Sequence, residues 1–164
     1  MTDDRQITLR PVGAEDEEFL FEVYAGTRRD EVAAWGWGEA EQETFLRMQS
    51  TMQQRAYGMQ YPGAEQRIVV RDGRAVGRMI VARAEGEWQL VDIALLPAER
   101  GAGVGRALIA GLQAEAARAG RVLRLQVDKA NRARRLYERL GFVPIGESAT
   151  HWHMEWRPAG HDAR

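Results

Sequence analysis

The stretch LLPAERGAGVGRALIAGL, residues 95–112, constrains this chain more than any other. An apolar run stops at Pro97, and the charged pair Glu99 and Arg100 follows. Gly101, Gly103 and Gly105 then alternate with Ala102 and Val104, directly before a segment rich in Ala and Leu. Glycine loses more backbone entropy on folding than any other residue, so three in five residues at a helix start imply a need for bare backbone. A helix N-terminus leaves about four N–H groups without intrahelical partners and carries partial positive charge. Strand, glycine turn and helix in that order make an anion cradle, whereas a tight turn alone needs only one glycine. Arg106 adds a cation behind it.

Spacing narrows the anion. The triphosphate loop G-x-x-x-x-G-K-S/T does not occur. The dinucleotide fingerprint G-x-G-x-x-G fails as well, because its sixth position is Arg106 counted from Gly101 and Leu108 counted from Gly103.

Composition excludes other classes. The chain has 164 residues, enough for one domain with a sizeable core, and a net charge of −1, which gives no bulk attraction to nucleic acid or membrane. It has no cysteine, so disulfides, thiolate nucleophiles and Cys-based zinc sites are excluded. No apolar stretch approaches the roughly 20 residues of a membrane span. The N-terminus, MTDDRQITLRP, is acidic where a signal peptide is basic and then apolar. The expectation is a soluble, cytoplasmic protein, with one domain over residues 1–158 and a disordered tail over 159–164.

The hydrophobic pattern predicts a strand near Ile7–Val12, then a helix over 14–25. A glycine-punctuated stretch, TRRDEVAAWGWG, precedes a second helix over 39–55, with Phe45, Met48 and Met52 on one face and a break at YGMQYPG. Strands follow at 66–71, 75–84 and 88–96, the first two joined by the Asp72-Gly73 turn signal. A helix over 103–119, a strand over 122–127, a short helix over 131–140 and two closing strands complete the chain. Hairpins followed by a βαβ unit give an α+β or mixed α/β fold, with helices packed on a central mixed sheet.

RGAGVG, residues 100–105, resembles motif A of the GCN5-related N-acetyltransferase (GNAT) superfamily, R/Q-x-x-G-x-G/A. NRARRLYERLGF, residues 131–142, looks like its motif B. The resemblance is strong over residues 88–156 and topological over 1–65. It implies a central, mostly antiparallel sheet of six to seven strands flanked by about four helices. It also implies acetyl-CoA as co-substrate, with the backbone of Arg100, Gly101, Ala102, Gly103, Val104, Gly105 and Arg106 on its pyrophosphate. By the same resemblance a backbone N–H near Leu95 is the oxyanion donor and the strand ending there splays at a bulge. A homodimer is one assembly the resemblance admits.

Each catalytic candidate has two readings. Asn131 is suited to cap the helix RARRLYERL; the resemblance makes it a hydrogen-bond partner of the CoA arm, and both can hold. Tyr137 packs an amphipathic helix or, by resemblance, protonates the leaving thiolate, which a phenol with a pKa of about 10 can do toward a thiol of about 8.5. Asp92 interrupts the apolar strand LVDIALL. It is either the base that deprotonates the amine, directly or through water, or a strand-end residue that faces solvent or partners a group such as an arginine. His151, His153 and Glu155 alternate on one strand face; no metal is expected there. Arg28, Glu31, Trp35 and Trp37 lie in the unusual stretch 27–37 and are candidates to hold the acceptor, with Tyr57 and Tyr61 as additions. The alternative for all four is ion pairing and aromatic packing.

The function expected from these residues is an N-acetyltransferase. It moves an acetyl group to a primary amine of a small molecule or peptide by direct attack, since no cysteine can carry a covalent acetyl group. The alternatives are a non-catalytic acyl-CoA-binding sensor on the same fold and, third, a nucleotide-binding regulatory domain.

Overall fold

The computed structural model describes residues 6–160. Residues 161–164 of the expected tail lie outside the described residues, as do residues 1–5. The elements are β1 (Ile7–Pro11), α1 (Glu17–Gly26), α2 (Arg29–Ala33), α3 (Glu39–Gln60), β2 (Glu65–Arg71), β3 (Arg74–Arg83) and β4 (Glu87–Leu95). They continue with α4 (Val104–Ala119), β5 (Val122–Asp128), α5 (Ala133–Arg139), β6 (Val143–Glu147) and β7 (His151–Trp156). Among the described residues the sheet has seven strands in the order β1-β2-β3-β4-β5-β7-β6. Every neighbouring pair is antiparallel except β4–β5, which the α4 crossover makes parallel. The expected mixed, mostly antiparallel sheet is therefore present, with five α-helices among the described residues.

Local chemistry explains most boundaries. Asp72 and Gly73 both take positive φ, 53° and 78°, as the tight β2–β3 hairpin turn requires. The opening helix begins as a 3-10 turn at Ala14–Asp16. There Asp16 accepts two hydrogen bonds from the Arg10 guanidinium, each 2.8 Å, and one from Gly13 N–H at 2.7 Å. Those bonds, Arg10 foremost, pull the Asp16 carboxyl down to about 2. The second helix runs past its expected end. Gly58 costs a helix only about 1 kcal/mol, so α3 continues to Gln60 and stops where Tyr61 precedes Pro62. A short helix, α2, forms inside the stretch read as irregular.

The sheet buries both faces. On one, Met79, Val81, Trp88 and Leu90 pack with Val104, Leu108 and Leu112 of α4 and with Leu123 and Leu125 of β5. On the other side, a second cluster joins Phe21, Tyr24 and Ala25 of α1 to Val32 of α2 and Leu46 of α3. Leu46, Val69 and Leu123 are fully buried, each a contribution of about 2 kcal/mol from removal of apolar surface from water.

One irregularity in the sheet positions everything that follows. Val81 pairs with Leu90, but Ile80 pairs with Asp92, so Val91 is an extra residue on β4. A side-chain period of two means that one inserted residue exchanges the faces of everything after it. Without the bulge, Asp92 would lie opposite Met79, in the α4-side core. With it, Asp92 shares the face of Arg78 and Ile80. The β4–β5 pairing also ends at this point, since its register runs from Glu87↔Val122 to Leu90↔Leu125 and no further. Beyond it, β4 continues along β3 and β5 continues along β7. The two central strands thus diverge into an opening.

Candidate active site

The opening lies next to the glycine loop. Gly101 and Gly103 adopt left-handed conformations, φ 79° and 84°, which a side chain would disfavour. Gly103 is the N-cap of α4. Helical bonding begins with Ala107 N–H to Gly103 C=O at 3.1 Å, so the N–H groups of Val104, Gly105 and Arg106 have no intrahelical acceptor. Gly105 lies within the helix and its φ is not positive, so its freedom is not what the turn needs. Arg106 is exposed. Arg100 reaches back, its Nη2 donating to Gly26 C=O at 3.2 Å, and so ties the loop to the end of α1.

The end of β4 offers a second set of backbone donors. Leu96 N–H bonds to Val76 C=O on β3 at 2.9 Å. Strand alternation then turns Leu95 N–H to the opposite edge, into the opening. The expected bulge is present, but at Val91, four residues before Leu95.

Asp92 stands at the centre. Its Oδ2 accepts from Arg78 Nε at 2.8 Å, and Arg78 is only 2% exposed. Arg78 Nη2 also donates to Gln53 Oε1 of α3 at 2.6 Å. An arginine partner, one of the structural alternatives for Asp92, is therefore real. It does not exclude chemistry, because Asp92 keeps about a fifth of its side chain exposed. Its carboxylate is felt by two tyrosines from different elements. Burial first, and Asp92 second, push Tyr137 of α5 up to about 12. Burial, again followed by Asp92, pushes Tyr57 of α3 up to about 12. Tyr137 also lies edge-on to Phe142, with ring centroids 5.8 Å apart, so its packing role and its place at the opening coexist. Arg132 stands at the cap position of α5, and Asn131, one residue earlier, accepts through its Oδ1 from the N–H of the first helical residue, Ala133, at 2.9 Å. The Asn131 amide nitrogen has no protein partner among the described residues.

The acceptor candidates divide. Arg28 pairs with Glu31 through two bonds of 3.1 and 3.2 Å, and donates to Tyr24 Oη at 3.2 Å. No hydrogen bond or ion pair among the described residues joins Arg28 or Glu31 to Asp92 or Arg78. Trp35 and Trp37 do not join the Asp92 centre either. They sit edge-on to each other and to Phe45, with centroids 5.2–5.5 Å apart. Phe45 is eight residues, about 12 Å, along α3 from Gln53. Arg78, Gln53 and Tyr24 were not among the residues singled out from sequence. Arg78 carried a signal: a lone cation in the apolar run AVGRMIV, one hairpin away from a lone carboxylate in LVDIALL.

His151 and His153 hold no carboxylate in common. Glu155, 6% exposed, accepts from Arg124 at 2.8 Å and Arg157 at 2.7 Å. No group of three or more metal-ligating residues occurs among the described residues. No helix among them is long and apolar enough to cross a membrane.

Comparison with known proteins agrees with this geometry. Residues 64–144 match the family model described as an acetyltransferase (GNAT) domain. The chain belongs to the GNAT superfamily. The match spans the hairpins, the glycine loop, α4 and α5, so this is an acetyltransferase domain. Solved GNAT structures share the fold over nearly the whole chain. The PaiA N-acetyltransferase of Thermoplasma acidophilum, solved in complex with coenzyme A, superposes with a TM-score of 0.68 at 18% identity, over 92% of this chain and 98% of that one. An acetyltransferase from Thermus thermophilus gives 0.66 at 18%, over 93% and 97%. The ribosomal-protein-S18-alanine N-acetyltransferase of Escherichia coli gives 0.60 at 20%, over 96% and 97%. No curated protein matches the chain in sequence.

Proposed function

We propose that this GNAT domain transfers the acetyl group of acetyl-CoA to a primary amine of a small molecule or peptide, by direct attack in a ternary complex. One observation carries the reading: two strands diverge at a bulge beside a left-handed glycine turn that caps a helix. The turn presents the free amides of Val104, Gly105 and Arg106 to a pyrophosphate. The exposed edge of β4 can take the pantetheine arm as an added strand. The amide nitrogen of Asn131 is available to the same arm.

The protein's groups then divide the proton work. Leu95 N–H, turned into the opening, stabilises the carbonyl oxygen as it gains charge, an effect of roughly 3 kcal/mol for one such donor. Asp92, directly or through a water, accepts the proton of the ammonium acceptor. Tyr137 keeps its proton well above neutrality and offers it to the departing sulfur. The burial that raises the phenol also raises the basicity of a thiolate formed beside it, which keeps the pair matched. Arg28 and Glu31 hold the polar part of the acceptor.

A screen of amines that reads released CoA thiol tests this, run beside calorimetry with acetyl-CoA, CoA and ATP. Micromolar CoA binding with turnover of at least one amine class is the expected result. CoA binding without turnover of any amine would make the domain a sensor, and binding of ATP instead of CoA would overturn the donor.

A further inference from the structure

Helix α3 has a second apolar stripe, which meets the face it buries only at Phe45, a residue partly buried against the α1–α2 cluster. Leu46, Ser50, Gln53 and Tyr57 turn toward the protein. Phe45, Met48, Met52 and Met59 recur at i, i+3, i+7 and i+14, the a and d spacing of a helix–helix seam. Met48, Met52 and Met59 are 53%, 55% and 83% exposed. Single exposed apolar residues are ordinary, but an aligned row of them marks an interaction surface. Trp35 and Trp37 extend the row beyond Phe45, and both are exposed. The flanking positions are Thr44, Thr51 and Gly58 on one side and Gln42, Gln49 and Ala56 on the other. All are uncharged, so another helix can approach closely.

The stripe is self-complementary in one direction only. Its d positions include Glu41 near the start and Arg55 near the end, and neither has an ion-pair partner among the described residues. The neighbouring charges Glu43 and Arg47 pair with each other and with Arg29 and Glu18. A parallel copy would set Glu41 against Glu41. An antiparallel copy sets Arg55 of its partner beside Glu41 and Phe45, and Met52 against Met48. A shallow depression of about 410 Å³, lined by Ala40, Glu41, Thr44, Phe45 and Met48, receives the partner's side chains. The area suffices: 22 residues make a helix about 33 Å long. A strip roughly 15–20 Å wide along it buries roughly 1,000–1,300 Å² in a pair, the lower range for specific interfaces. Two-fold pairing is also the commonest assembly of soluble chains.

We propose that α3 is the interface of an antiparallel, two-fold homodimer of this chain. The surface lies apart from the Asp92 centre, and the proposal holds whichever acyl acceptor the domain uses.

Sedimentation equilibrium on the full chain tests it, with circular-dichroism melting to show that each variant is folded. The expected wild type is a dimer at micromolar concentration. Met48→Glu with Met52→Glu should weaken it at least 50-fold and leave the melting temperature within a few degrees. Glu41→Arg and Arg55→Glu should each weaken the dimer about fivefold or more, and the two together should restore it. A wild type that stays monomeric at 100 µM on the order of that test range overturns the proposal. So does a dimer that ignores the methionine changes, or paired charge reversals that fail to restore association.

Discussion

Arg78 Nε donates to Asp92 Oδ2 at 2.8 Å across β3 and β4, and this ion pair lies within electrostatic reach of both Tyr57 and Tyr137. The guanidinium is almost fully buried and shared with Gln53, while the carboxylate keeps contact with solvent. The pair therefore joins two tasks. It holds α3 to the sheet, and it fixes a charge where α3 and α5 present their phenols.

Removing the cation alone should be costly. Arg78→Leu leaves Asp92 partly buried and unpaired, and should destabilise the protein by about 3 kcal/mol, the lower end for such pairs given the exposure of Asp92. Urea unfolding of the variant measures it. A loss under 1 kcal/mol would mean that solvent already compensates Asp92.

The tyrosines report on Asp92. Their raised pKa values mean that the folded state keeps protons which an unfolded chain releases above about pH 10. Stability from these groups is complete below about pH 10 and is lost as pH climbs toward about 12. Ultraviolet titration of the four tyrosines should show two ionising near pH 12. Asp92→Asn should bring both down together, because its charge raises both. A shift of only one would separate them.

Tyr137→Phe should leave CoA affinity within about twofold, since packing against Phe142 survives. It should lower kcat by roughly 100–10,000-fold, the scale of one general acid. Steady-state kinetics over pH 6–10 on the order of the working range decides it, and unchanged turnover across that range removes Tyr137 from the proton path.

The glycines should not be equivalent. Gly103→Val forces a branched side chain into the left-handed region and should weaken CoA binding by about 100-fold or more in calorimetry. Gly105→Ala should be tolerated much better, because its backbone is helical and a Cβ there would meet Leu136 only at 4.0 Å.

Acid unfolding should show the Arg10–Asp16 pair. Asp16 is held down to about 2, so its contribution is present above about pH 4 and is lost as pH falls toward about 2. Asp16→Asn should flatten stability over that interval relative to wild type in a pH series of thermal melts.

Much of this architecture was written locally. The Asp72-Gly73 turn, the glycine cap of α4 and the alternating strands depend on neighbours within a few residues, and their boundaries fell close to expectation. The glycine loop was legible because left-handed glycines before a helix are a local feature. Asn131 and Tyr137 were legible as residues, while the distances around them were not. The surroundings of Asp92 were least legible, since Gln53, Tyr57 and Arg78 come from α3 and β3 and meet it only through packing. Trp35 and Trp37, readable either as acceptor walls or as aromatic packing, gather around Phe45.

What the sequence determined by itself was most of the order of elements and the glycine turn before α4, because hydrogen bonding and backbone conformation over short spans settle those. What only the tertiary structure decided was the face on which Asp92 lies. Sequence alternation carries Asp92 along with Trp88 and Leu90 into the α4-side core. One extra residue, Val91, reverses that, since a strand's side chains alternate and a single insertion moves all later ones across the sheet. The same residue ends the pairing of β4 with β5, so the charge and the opening beside it arise from one bulge.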